Sequence, residues 1–146
     1  MVNLQSILAE HRSKTKPLKD QNLKTSDGDN DVAQNYSSSE IPDLFFDKII
    51  VDFKLSRIEI LVLMYIYRRV WCIPNIYKNH GISQMMSHTE MSNQLGLSID
   101  DVYSAIRKLE EFDMIKTLRA GQYFSRKFFS KDLDEVFLQK YDDFEV

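Results

Sequence analysis

The stretch 86–129 leaves this chain few folds to choose from. Ser87 and Glu90 stand three apart, the capping-box spacing, in which each side chain satisfies an orphan backbone N–H of the other at a helix start. Leu95-Gly96 closes that helix, because glycine takes the left-handed backbone that stops one. Ser98 and Asp101 repeat the start signal two residues later. Val102, Ala105, Ile106, Leu109 and Phe112 then fall at helical spacing and form the inner side of a second helix. Asp113 stands where this helix must stop, and Asp tolerates left-handed geometry better than most residues. Segments 114–118 and 123–129 flank Arg119-Ala120-Gly121-Gln122, which reads as a hairpin with glycine in its loop.

Two capped helices, a tight turn and a hairpin in this order resemble the winged-helix branch of the helix-turn-helix family. The residues that carry the resemblance are Met91, Leu95, Gly96, Leu97, Ser98, Val102, Ala105, Ile106, Leu109, Glu110 and Ile115. The family commonly has glycine where this chain has Asp113, a departure that bears on helix termination. The resemblance implies an α+β, mostly helical fold: a winged helix-turn-helix with a two- or three-stranded wing and flanking N- and C-terminal helices. Residues 41–118 also look like the N-terminal domain of phage replication initiator proteins, which bind origin repeats. Ile41-Pro42, the apolar run from Ile60 to Tyr67 followed by Arg68-Arg69-Val70-Trp71, then Ile82-Ser83 and the two capped helices carry that wider likeness.

The rest of the chain fits one domain with a tail. Leu4, Ile7 and Leu8 give 1–12 the pattern of a short helix, about three turns and marginal by itself. Residues 13–40 are nearly free of large apolar side chains, so 1–40 reads as a disordered tether, with its first turns available to a protein partner. Composition changes at Ile41-Pro42-Asp43, where proline and an acid suit a helix start. Leu44, Phe45, Ile49, Ile50 and Phe53 supply an apolar stripe. Ser56 and Glu59 form a third capping box, ahead of a helix apolar nearly all round that Pro74 prevents from running on; such a helix is central. Residues 82–86 read as a short strand beside the hairpin. A last helix is expected over 130–141, with Leu133, Val136, Phe137 and Tyr141 on one face, and 142–146 as an acidic tail. The domain is thus 41–141.

The net charge of −3 looks wrong for a nucleic-acid binder, but its distribution matters more. Residues 41–131 carry 13 basic and 10 acidic side chains, whereas 132–146 carry 1 and 6. A single cysteine, Cys72, permits no internal disulfide and reads as a small buried hydrophobe. With no run apolar enough to span a bilayer and no secretory signal pattern, the expectation is a cytoplasmic protein without membrane contact.

Catalytic chemistry finds no support. The four glycines are scattered, and His11, His80 and His88 lack metal-ligand spacing with one another or with Cys72. Asp100-Asp101 and Glu110-Glu111 are adjacent pairs, which diverge on a helix. The expectation is a non-enzymatic protein with no catalytic residue, metal or cofactor.

Recognition remains. In helix-turn-helix proteins the second helix enters the major groove. Its outward residues here are Ile99, Asp100, Tyr103, Ser104, Arg107 and Lys108. Arg107 has the reach for guanine O6 and N7, and Tyr103 and Ser104 for a base or a phosphate. The hairpin contributes Lys116, Arg119, Gln122, Arg126 and Lys127, and no acid lies between Ile115 and Lys131. Such a wing suits a phosphate backbone or the minor groove. Against this, Asp100 and Asp101 sit at the helix end that approaches the phosphates, although acids there also complement the helix dipole. The reading is a double-stranded-DNA-binding transcriptional regulator, with a homodimer as a further expectation. Origin binding in replication and a winged helix that docks a protein are the alternatives. One continuous basic surface over hairpin and helix favours DNA; acids dominating the helix favour the protein partner.

Overall fold

A computed structural model describes residues 37–142. The expected N-terminal helix, most of the tether and most of the acidic tail lie outside the described residues. The described chain is α+β and mostly helical, with five helices and one two-stranded antiparallel hairpin, an arrangement compatible with a winged helix.

Helix α1 comprises a π-type turn, Phe45–Ile49, and its continuation Ile50–Asp52. It begins where Pro42 leads the sequence to expect, with Phe45 N donating to Pro42 O at 3.0 Å. Helix α2, Arg57–Tyr67, runs on through a π-type turn, Arg68–Cys72. Ser56 caps it, its Oγ accepting from Glu59 N at 3.2 Å. Ile73 leaves the helix in extended conformation because the pyrrolidine ring of Pro74 disfavours helical backbone before it. Val62, Leu63, Ile66 and Val70 on α2 are fully buried, as expected of a central helix. They meet Val102, Ala105, Ile106 and Leu109 of the second capped helix, together with Phe45, Ile49, Met91 and Ile115. Cys72 is half-buried, not fully, and its Sγ donates to Glu40 O at 3.4 Å. Partial burial raises its thiol pKa, so this is not an activated nucleophile.

Helix α3 is His88–Leu95 and α4 is Ile99–Glu111. Strands β1, Ile115–Arg119, and β2, Gln122–Ser125, form the hairpin, in register Ile115↔Ser125 and Thr117↔Tyr123, with an irregularity before Arg119. The expected strand over 82–86 is a single bridge, Ile82↔Phe124. Its ladder is interrupted because side chains take backbone places. Tyr123 N donates to Ser83 Oγ at 3.1 Å, and Gln122 Nε2 donates to Ser83 O at 3.0 Å. Met86 N still reaches Gly121 O at 2.8 Å. That closeness explains Gly121, which has φ +84° and where a Cβ would meet Met86 O at 2.5 Å. Gly121→Ala should therefore cost about 1–3 kcal/mol through backbone strain alone, read as a lower denaturation midpoint.

Helix α5 is Lys131–Val136, shorter than expected, and its buried residue is Asp134. Of the apolar face read from the sequence, Leu133 packs against the core and Tyr141 is half-buried against Trp71 and Phe124, whereas Val136 and Phe137 are exposed. The chain turns back at Leu138 (φ 56°), and the Tyr141 hydroxyl donates to Asp134 Oδ2 at 2.6 Å. No helix among the described residues is long and apolar enough to cross a membrane.

Candidate nucleic-acid interface

Local bonds fix the two capped helices. Glu90 N donates to Ser87 Oγ at 3.3 Å, and Asp101 N to Ser98 Oγ at 3.1 Å. Between them Gly96 takes φ 65°, and Ser92 Oγ donates to Leu97 O, clamping the turn. With Val102, Ala105, Ile106 and Leu109 buried, Ile99, Asp100, Tyr103, Ser104, Arg107 and Lys108 are all exposed, as the periodicity requires. Asp113 ends the helix at φ 60°, the left-handed geometry expected of it.

The hairpin is held beside α4 by Thr117, whose Oγ1 donates to Glu110 Oε1 at 2.6 Å. Successive strand residues face opposite sides, so Lys116 lies on the face away from α4. At the tip, Arg119 Nε donates to Gln122 Oε1 at 2.9 Å, and the neighbouring Ala120 lines the cleft between hairpin and α4. Lys127 is exposed, but its ammonium lies 5.7 Å from the Trp71 ring centre, beside the end of α2. None of the five expected wing residues lines the cleft: Arg119 and Gln122 pair with each other at the hairpin tip, and Gln122 Nε2 is turned to Ser83 O.

Arg126 is a correction. It is 2% exposed and turned inward, so it is no phosphate contact. Its Nε donates to Asp113 O at 2.6 Å, its Nη2 to Asp113 Oδ2 at 3.1 Å and its Nη1 to Asp134 Oδ2 at 3.3 Å. A buried guanidinium needs carboxylate partners, and the chain supplies two. This also accounts for Asp at position 113, since glycine would give the backbone geometry without the carboxylate.

The electrostatic balance is mixed. The exposed side of α4 sets Arg107 and Lys108 against Asp100, Glu110 and Glu111, and Lys108 Nζ pairs with Glu111 Oε2 at 3.4 Å. With Arg126 withdrawn, hairpin and helix do not form one continuous basic surface.

The cleft has a volume of about 530 Å³ and is lined by His88, Asp100, Tyr103, Arg107, Glu110 and Tyr123 among others. His88, on the first turn of α3, bridges α4 and β2. Its Nε2 meets the Tyr123 hydroxyl, and its Nδ1 lies 3.3 Å from the Tyr103 hydroxyl. Burial pushes the Tyr123 phenol up to about 12, reinforced by the neighbouring Tyr103 and Glu110. The sequence carries no sign of this contact, because 35 residues separate His88 from Tyr123. Among the described residues no group of His, Cys, Asp and Glu is arranged to hold a metal ion. No family model matches the chain, and no significant match is found among curated proteins or solved structures.

Proposed function

We propose that residues 41–141 are a winged-helix domain that binds double-stranded DNA, with α4 as the recognition helix and the hairpin as its wing. The observation that carries this reading is the disposition of α4. Its apolar side is locked into the core against α2, while Tyr103, Ser104, Arg107 and Lys108 stand exposed beside a hairpin that Thr117 and Glu110 tie to it. Arg107 is the base reader, and Arg119 at the hairpin tip is a phosphate contact. Which duplex is selected decides between the two roles: single operators mark a transcriptional regulator, and repeated arrays mark an origin binder.

The mixed charge of α4 favours a second reading, in which the same surface docks a protein. Substitution separates the two. Arg107→Ala should weaken binding to a selected duplex by about 1–3 kcal/mol and relax preference at one base pair. Arg119→Ala should weaken binding to all duplexes alike, and reduce the slope of log affinity against log salt by about one. Fluorescence anisotropy over a salt series reads both. Unchanged affinity in both variants sinks the assignment of these residues.

A further inference from the structure

Two tyrosines address opposite nitrogens of His88, and only one of them is buried. Tyr123 is 1% exposed; its hydroxyl meets His88 Nε2 and also a backbone N–H at Gly121, and of these two only the imidazole nitrogen can accept the hydroxyl proton. A buried O–H without an acceptor loses the full desolvation free energy of the group, so this proton points at Nε2. A neutral imidazole carries one N–H, and with Nε2 accepting, that hydrogen sits on Nδ1. Nδ1–H then donates to the Tyr103 oxygen, 3.3 Å away. The Tyr103 oxygen being an acceptor on that side, its own proton is directed elsewhere. Tyr103 is 45% exposed at the cleft, one helical turn from Arg107.

We infer that Tyr123, His88 and Tyr103 form a hydrogen-bond relay that presents the Tyr103 hydroxyl to the cleft as a fixed donor for an acceptor atom of duplex DNA. The inference rests on the DNA-binding reading and adds to it the polarity of one contact. His88 is the positioning residue; Tyr103 touches the ligand. Four other charged groups stand near the ring. Glu110 already accepts from Thr117, Glu90 on the same helix as His88 accepts from Gln94 Nε2 at 3.1 Å, and Asp100 and Arg107 line the cleft. Arg107 and Tyr103 together place two donors on one face, which suits the acceptor-rich edge of guanine and an adjoining phosphate.

Two measurements on the full chain test this. Long-range proton–nitrogen spectra of the free protein, taken where the imidazole is neutral, should show His88 protonated at Nδ1 and bare at Nε2. Tyr103→Phe should weaken duplex binding about tenfold while leaving the melting temperature unchanged. Equal loss on selected and scrambled duplexes identifies a phosphate acceptor; loss on the selected duplex alone identifies a base edge; either supports the relay. A ring protonated at Nε2 overturns the relay alone, as does wild-type affinity in Tyr103→Phe. Absence of duplex binding by the wild-type chain overturns the DNA reading and this inference together.

Discussion

Arg126→Met should destabilise the domain by about 3–5 kcal/mol, the range for removing one partner from a buried ion pair. The guanidinium links the end of α4, through Asp113, to α5, through Asp134, and both it and Asp134 are almost wholly buried. Without it, the Asp134 carboxylate stays in a dry site with Tyr141 and Phe128 N as its remaining donors. The melting temperature should fall by roughly ten degrees or more. Lys127→Ala, one residue along, is the control: an exposed ammonium over Trp71 should cost no more than about 1 kcal/mol. Equal, small effects at the two positions would mean that Arg126 is solvated and restore it to the wing.

Leu63→Ala or Ile66→Ala should cost about 2–5 kcal/mol, the range for truncating a fully buried aliphatic side chain. Both residues lie on α2, the element on which α4 is seated. The loss should appear as a lower denaturation midpoint with an unchanged dependence on denaturant. A change below about half a kcal/mol at both sites would place α2 at the surface and remove the support on which α4 is presented.

What the sequence discloses divides by range along the chain. The caps at Ser56, Ser87 and Ser98 are legible because each bond spans three residues and needs nothing else. The outward face of α4 is legible for a related reason, since helical periodicity alone sorts Val102 and Leu109 from Tyr103 and Arg107. The stop at Asp113 follows from a property of one residue. The hairpin charge misleads, because a run of Lys and Arg reads as a solvated surface until the tertiary fold reveals the acids near Arg126. Asp134 lies on another element, and in the sequence it is one acid among several. The same buried acid shortens the last helix. Apolar spacing would turn Val136 and Phe137 inward, but hydrogen bonds to Asp134 outweigh it and the chain reverses at Leu138. The strand expected over 82–86 fails for a side-chain reason of the same kind, the capture of Tyr123 N by Ser83. His88 belongs with these, since its partner tyrosines are set by the packing of α3 against α4 and β2.

The central claim is that α4 and the hairpin form a surface for duplex DNA. It is tested most directly by selecting duplexes from a random library with the purified full chain at physiological salt, then measuring anisotropy with a selected and a scrambled duplex. The account predicts a recurrent sequence and binding at least about a thousandfold tighter to it than to the scramble. A library that yields no preferred sequence, with every duplex bound only near the non-specific limit of about 10⁻⁴–10⁻⁶ M, would contradict it.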